Sequence, residues 1–164
     1  MSVSIRNATE NDLPSIVSIY NDIVENTYAV WNEATVDIEN RRAWMRTRKE
    51  QGYPILIAEL NSEVVGYATY GPFRVNDGYR HTAEGSIYVD RNHRRKGIGR
   101  TLLEALINEA RKQNIHVLVG GIDGSNTSSI ALFESFGFNI VGRMPEVGIK
   151  FGKWLDLVLM QKIL

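Results

Sequence analysis

Residues 87–103 read Ile-Tyr-Val-Asp-Arg-Asn-His-Arg-Arg-Lys-Gly-Ile-Gly-Arg-Thr-Leu-Leu, and this stretch decides the fold of the chain. It begins in a strand predicted at about residues 82–89. It ends in a helix, because Ile98, Leu102, Leu106 and Ala110 recur at four-residue spacing. The strand therefore turns into an amphipathic helix through a loop of glycine and basic residues.

Such a turn is suited to binding phosphate. A helix N-terminus has free N–H groups and a positive dipole end, and glycines let the backbone approach a pyrophosphate. The alternative is a helix cap with a solvated basic turn. The dinucleotide-binding fingerprint is not met, because Leu102 occupies the place of its third glycine, and no GxxxxGK[ST] motif is present. A nuclear-localisation reading of His-Arg-Arg-Lys is weak.

The rest of the chain predicts an α/β sandwich with a mixed sheet. The order is a strand, two helices, three strands, a helix, a strand, a helix and two strands. Strands are predicted at residues 3–8, 54–60, 64–70, 82–89, 116–122, 138–143 and 154–163, the fifth of them central in the sheet. Helices are predicted after Thr9, after Asp37, from Ile98 and over residues 126–136, with Gly137 as the last C-cap.

Composition limits the possible functions. The 164 residues suit one domain, residues 1–164, with 43% hydrophobic and 23% charged residues. Lys plus Arg and Asp plus Glu both number 19, and this balance argues against a nucleic-acid-binding protein. There is no apolar run of the roughly 20 residues that a membrane span needs, and no signal-peptide pattern. We therefore expect a cytoplasmic protein without membrane or nucleic-acid partners.

The sequence contains no cysteine and three histidines. Disulfides and cysteine-bound zinc are thereby excluded, and the histidines lack metal-binding spacing, so no metal site is expected. A covalent acyl-cysteine intermediate is also impossible. Any thioester chemistry must proceed by direct transfer.

Arg94-x-x-Gly97-x-Gly99 resembles the Arg/Gln-x-x-Gly-x-Gly/Ala motif of the GNAT superfamily of acyl-coenzyme A N-acyltransferases. Residues 126–138 resemble its second cofactor-side helix. Residues 19–22, 29–33, 78–89 and 143–157 resemble the phosphinothricin and methionine sulfoximine or sulfone acetyltransferases. The resemblance implies a mixed, mostly antiparallel sheet flanked by helices, acetyl-CoA as co-substrate and a homodimer. Residues 151–155, with Trp154, are expected to contribute to the dimer contact.

The resemblance also implies the cofactor-binding residues. The pantetheine arm is expected on strand-edge backbone groups of Ile87, Tyr88 and Val89. Asn126 is expected to contact the cofactor from the other side, or to be a helix N-cap, or both. The pyrophosphate is expected on Arg94, Arg95, Lys96, Gly97, Ile98, Gly99 and Arg100.

Glu84 is the candidate general base, since an amine attacks a thioester only after it loses a proton. The alternative is an exposed strand carboxylate without a catalytic role. The resemblance favours the base, with the N–H of Val89 as oxyanion donor. Phe133 departs from the family, which often has a Tyr or His acid there. Without such an acid, the leaving thiolate of coenzyme A departs unassisted or takes a proton from water. Tyr88 either replaces the missing acid or packs within the strand.

Arg74 and Arg80 precede this strand and suit a carboxylate, phosphinate or sulfone. Each is alternatively a solvated surface arginine. Trp31 either walls the pocket or is a core aromatic residue. The resemblance favours Arg74 over Arg80. Val75-Asn76 differs from the aromatic-bearing sequence of close members. The substrate-binding residues that the resemblance implies are Arg74, Val75, Asn76, Glu84, Gly85 and Ser86.

The sequence thus predicts an N-acetyltransferase for the α-amino group of small amino-acid analogues: methionine sulfone, methionine sulfoximine and phosphinothricin. A second possibility is a protein or peptide N-acetyltransferase, which predicts an open and usually acidic groove. A third is a non-catalytic acyl-CoA-binding module, against which Glu84 and the substrate-loop motif argue.

Overall fold

The computed structural model describes residues 2–164, in which seven strands and four α-helices follow the predicted order. None of these helices is long and apolar enough to cross a membrane. The elements are β1 Ser4–Asn7, α1 Leu13–Asn26, α2 Ile38–Glu50, β2 Ile55–Leu60, β3 Glu63–Pro72, β4 Thr82–Val89, α3 Ile98–Lys112, β5 Val117–Asp123, α4 Thr127–Ser135, β6 Asn139–Lys150 and β7 Lys153–Ile163.

The strands form one sheet in the order β1-β2-β3-β4-β5-β7-β6. Of its neighbouring pairs, β4 and β5 alone run parallel, and every other pair is antiparallel. The predicted mixed, mostly antiparallel sheet is therefore confirmed. The predicted interior position of the fifth strand is confirmed too, since β5 lies between β4 and β7.

Helices cover both faces of the sheet. On one face, the apolar stripe of α3 is buried as its spacing predicts, Leu102 and Leu106 being fully buried. On the other face, Ile16 of α1 and Met45 of α2 pack against the sheet. Ile38 of α2 does not share this packing, because it occupies the first helical position and its side chain is exposed.

The predicted helix ends are present. Asp37 accepts a hydrogen bond from the N–H of Asn40 at 2.8 Å, which caps α2. Before α1, the chain passes through a 3-10 turn in which Asp12 accepts from the N–H of Thr9 at 2.7 Å. Gly137 follows α4 with φ 86°, the left-handed conformation that ends many helices.

The strand predicted at residues 138–143 continues to Lys150. Pro145 and Gly148 weaken the strand pattern there, and bulges interrupt the pairing with β7 at two places. A tight turn at Phe151 and Gly152, both with positive φ, then leads into β7. The long β6–β7 hairpin is the main difference from the sequence prediction.

Candidate active site

The site begins where β4 and β5 separate. They pair from Thr82–Val117 to Glu84–Val119, beyond which β4 pairs with β3 and β5 with β7. A cleft therefore opens in the middle of the sheet, and no strand of residues 2–164 covers the β5-facing edge of β4 after Glu84. An uncovered strand edge can pair with an extended ligand.

The register shows which backbone groups face this cleft. The N–H of Asp90 bonds to the carbonyl of Val65 at 2.9 Å, so alternate residues of β4 before it bond to β3. Ile87 and Val89 are the intervening residues, and their N–H and C=O groups face the cleft, as expected for pantetheine binding. The prediction for Tyr88 needs correction, because its backbone groups face β3.

Glu84 lies at the point where the cleft opens. Its side chain projects to the face covered by α1 and α2, and its Oε1 would lie 3.1 Å from a Cβ placed on Gly121. The absence of a side chain at Gly121 leaves room for this carboxylate. Glu84 is exposed to solvent, yet partial burial raises its pKa, while the charge of Arg48 opposes that rise. A raised pKa makes the carboxylate a better proton acceptor.

Aromatic side chains line the same face beside Glu84. Tyr88 stacks on Tyr67 with ring centroids 4.6 Å apart, and Tyr20 meets it edge-on at 6.2 Å. Burial raises the pKa of Tyr88, which makes it a weak proton donor. Strand packing, rather than acid catalysis, is the role that these contacts support.

Arg48 of α2 also reaches this face, and sequence reasoning missed it. Its guanidinium lies directly on Gly71, where any Cβ would overlap it, and Gly71 is paired with Glu84 across β3 and β4. Its Nε is buried without a hydrogen-bond partner. One signal in the sequence could have indicated this position: Arg48 follows Met45 by three residues, so the cation lies beside the buried stripe of the helix.

The predicted phosphate loop, residues 90–97, joins β4 to α3. Arg95 and Gly97 both have positive φ, 61° and 79°, which curls the chain immediately before the helix. A Cβ at Gly97 would meet no atom within 4 Å, so this corner faces open space. The side chains of Arg94, Arg95 and Lys96 are exposed around it. Free N–H groups, a helix N-terminus and cations thus coincide, as phosphate binding requires.

Three other residues of the predicted phosphate site have structural contacts of their own. The side chain of Ile98 is in the core, so only its backbone can reach a phosphate. Gly99 faces Leu132 of α4, which would lie 3.4 Å from a Cβ, and therefore serves helix packing. Arg100 donates to Ser135 at 3.2 Å and is thereby directed along α4.

α4 carries two further residues named from the sequence. Asn126 caps the helix by accepting from the N–H of Ser129 at 3.2 Å, so the N-cap interpretation holds. Phe133 is buried, with its ring against Gly120 and 4.8 Å from that of Phe138. Phe133 is thus core packing and supplies no acid.

The residues predicted to bind substrate lie on different surfaces. Arg74, Val75 and Asn76 are exposed on the loop before β4. Gly85 lies on the opposite face from Glu84, where a Cβ would approach Leu106 to 3.1 Å, so only its backbone can contact a ligand. Ser86 shares the face of Glu84, by alternation along the strand.

The loop between α1 and α2 is anchored on the β6–β7 hairpin. Lys150 is fully buried and donates to the carbonyls of Thr27 and Val30, both at 2.6 Å. Burial lowers the pKa of its ammonium group. Trp31 lies flat against Gly148, where a Cβ would be 2.3 Å from the indole. Trp31 is therefore partly exposed and packs on the β6–β7 hairpin. The burial of Lys150 could not be predicted, because no helical or strand periodicity in the sequence indicates it.

The chain matches the family described as acetyltransferase (GNAT) domain over residues 5–159. It belongs to this family. A curated L-methionine sulfoximine/L-methionine sulfone acetyltransferase from Pseudomonas aeruginosa is 54% identical over 162 residues, which are 98% of this chain and 94% of the relative.

Two solved structures superpose closely on this one, each with a TM-score of 0.97. A ribosomal-protein-alanine N-acetyltransferase from Brucella melitensis is 56% identical, covering 98% of this chain and 99% of the other. A phosphinothricin acetyltransferase from Sinorhizobium meliloti, in complex with acetyl-CoA, is 35% identical, covering 100% and 89%. This GNAT acetyltransferase uses acetyl-CoA as its acetyl donor.

The residues present fit acetyl-CoA. The cleft-facing backbone of Ile87 and Val89 would hold the pantetheine arm, and the turn at residues 94–97 would hold the pyrophosphate. When bound, the cofactor supplies a thioester whose carbonyl carbon is electrophilic. Residues 2–164 contain no group of three or more His, Cys, Asp or Glu side chains arranged to hold a metal ion.

Proposed function

We propose that this single-domain acetyltransferase acetylates the α-amino group of small amino acids with an oxygen-bearing side chain, such as methionine sulfone, methionine sulfoximine and phosphinothricin. The observation that carries the proposal is Glu84 at the mouth of the β4–β5 cleft, with the Arg48 guanidinium of α2 above the paired residue Gly71. The relatives named for these substrates support the choice. A screen of small amines and peptides for acetyl-CoA-dependent thiol release tests it.

The chain supplies a base and an oxyanion donor to this reaction. Glu84 accepts the proton of the substrate ammonium group, directly or through one water, and thus generates the nucleophilic amine. The N–H of Val89 faces the cleft and stabilises negative charge on the acyl oxygen. The leaving thiolate departs unassisted or takes a proton from water, because Phe133 has none to give.

A second candidate is acetylation of a protein N-terminus, which the similarity to the ribosomal-protein-alanine N-acetyltransferase from Brucella melitensis favours. The charged side chains over the site argue against it here. Arg41 and Arg48 are cations, whereas a peptide groove was expected to be open and acidic.

Methionine should react poorly compared with its sulfone. A pocket that pairs with sulfone oxygens leaves its own donors unpaired when methionine binds. We expect Arg74→Ala to lower kcat/KM for the sulfone roughly fivefold, which corresponds to a loss of about 1 kcal/mol in transition-state stabilisation. This is the low end of the cost of leaving a hydrogen-bond partner unpaired, because Arg74 is exposed. Steady-state kinetics with both substrates measures this.

Arg80→Ala is the matched control on the same loop. Arg80 donates to the carbonyl of Asp77 within its own turn, so its loss should leave the preference for the sulfone unchanged. Equal efficiency with methionine and its sulfone would contradict the proposed specificity, while acetylation as such would stand.

The protein is proposed to be a homodimer. The β6–β7 hairpin forms an edge of the sheet and exposes apolar side chains, Trp154 being 60% exposed. Such a surface suits contact with a second copy, and symmetric dimers are the commonest oligomers. Light scattering at micromolar concentration should give twice the 18.5 kDa of the chain. A mass of one chain would contradict the proposal, and Trp154→Glu should shift a dimer toward that mass.

The remaining expectations concern location and other partners. The net charge of zero still argues against binding to nucleic acid. Cytoplasmic residence and the absence of a membrane partner stay predictions of the sequence. The substrate is therefore the main partner that the proposal requires, besides acetyl-CoA and a second copy of the chain.

A further inference from the structure

Arg48 is a partly dehydrated cation without an anionic partner. Burial lowers the pKa of its guanidinium group, and its buried Nε has no hydrogen-bond acceptor. Within residues 2–164 it forms no ion pair, whereas Arg42 on the same helix pairs with Glu39 and Glu10. Removing an arginine from water is costly unless an anion compensates. A ligand of this site can supply that anion.

The position of Arg48 relative to Glu84 is set by the sheet. Gly71 and Glu84 are directly paired, so their side-chain positions lie on the same face. The guanidinium occupies the space above Gly71, which only a glycine leaves free. The Glu84 carboxylate leans the other way, toward Gly121 of β5. The cation and the candidate base thus lie on the same face of the sheet, the guanidinium over β3 and the carboxylate toward β5.

We propose that Arg48 receives the α-carboxylate of the amino-acid substrate, while its α-amine faces Glu84. The inference rests on the proposed function and specifies how its substrate class is recognised. Arg48 is thereby assigned to substrate binding and Arg74 to the oxygens of the side chain. A guanidinium suits this task because its N–H groups match a carboxylate in a planar, paired geometry.

The distances are compatible with this bridge. Neighbouring strands are about 4.8 Å apart, and Gly121 lies two residues beyond Val119, the β5 partner of Glu84, so Gly71 and Gly121 are separated by about 12 Å. A bound α-amino acid would add two hydrogen bonds of about 2.8 Å to an amine–carboxylate separation of about 3 Å. The sum, about 8–9 Å, is about 3 Å shorter than this separation, and the Glu84 side chain covers that difference because it reaches from β4 to within 3.1 Å of the Cβ position of Gly121.

The proposal has a consequence for selectivity. A substrate without an α-carboxylate leaves Arg48 dehydrated and unpaired, and it should therefore bind poorly. Simple amines belong to this class, and so does the N-terminal residue of a peptide, whose carboxyl is an amide. Recognition by Arg48 would thus separate free amino acids from both.

The test compares methionine sulfone with its decarboxylated amine, 3-(methylsulfonyl)propan-1-amine, in wild-type protein and in Arg48→Met. Methionine keeps the bulk of the side chain on α2 and removes its charge. We expect kcat/KM for the sulfone to fall roughly 10- to 100-fold, the scale of a charged hydrogen bond, with less than about threefold change for the amine. Arg48→Lys should restore part of the activity toward the sulfone.

Arg46→Met is the control, because Arg46 is exposed two residues away on the same helix and should change neither rate. Equal falls for acid and amine, or a shifted pH profile with both, would contradict the proposal and indicate that Arg48 supports Glu84 or the fold. If wild-type protein does not acetylate the sulfone, the proposed function is wrong. The same comparison on any amino acid that is acetylated, paired with its decarboxylated amine, still decides the role of Arg48.

Discussion

Gly97→Asp is expected to abolish the binding of coenzyme A. Gly97 lies at the N-terminus of α3, and a side chain there would project into open space beside the exposed cations of residues 94–96. A carboxylate at that corner would occupy the place of the pyrophosphate and repel it. The helix itself should tolerate the change, since a negative charge at its N-terminus is favourable. Calorimetry on the purified, folded variant measures the affinity.

Gly97→Asn is the matched control. Asparagine has the shape of aspartate and shares the cost of positive φ, about 1 kcal/mol or more, but carries no charge. We expect the Asn variant to keep measurable affinity. Equal losses of coenzyme A affinity in the two variants would show that backbone strain, and not the negative charge, causes the effect. Unchanged affinity in the Asp variant would place the phosphate site elsewhere.

Glu84→Gln is expected to lower kcat by about 100-fold or more, the usual scale of general-base catalysis. The amide keeps the shape of the side chain but cannot accept the proton of the ammonium group. The affinity for acetyl-CoA should barely change, because the side chain of Glu84 projects to the α1–α2 face, away from the phosphate loop. Glu63→Gln, at an exposed position of β3, is the control.

The pH dependence gives an independent measurement of the same role. Partial burial raises the pKa of Glu84, so the wild-type kcat/KM should fall as the pH decreases through that raised value and the carboxylate becomes protonated. The Gln variant should lose this acidic limb. A nearly normal kcat in Glu84→Gln across about pH 6 to 9 would remove Glu84 from the mechanism.

Much of the fold could be predicted because its signals are local. The four-residue spacing of Leu102 and Leu106 and the cap at Asp37 each depend on neighbours within one turn of helix. The turn at Asn61-Ser62, where both residues have positive φ, is likewise local, because asparagine and serine are typical turn residues. β6 was predicted too short because its second half is an exposed, bulged edge in which Pro145 and Gly148 weaken the strand pattern.

Sequence alone determined the strand–loop–helix unit at residues 82–112 and predicted a phosphate-binding turn within it, because both follow from local patterns and from a motif whose residues are close in the chain. The choice of Glu84 as candidate base came from the resemblance to the acetyltransferases. The tertiary structure decided that Arg48 lies on Gly71 opposite Glu84, and that Lys150 holds the carbonyls of Thr27 and Val30. Both contacts join residues far apart in sequence, and a buried cation has the same one-letter code as a solvated one. Which of the two it is depends on burial and partners that exist only after the sheet and its helices have packed together.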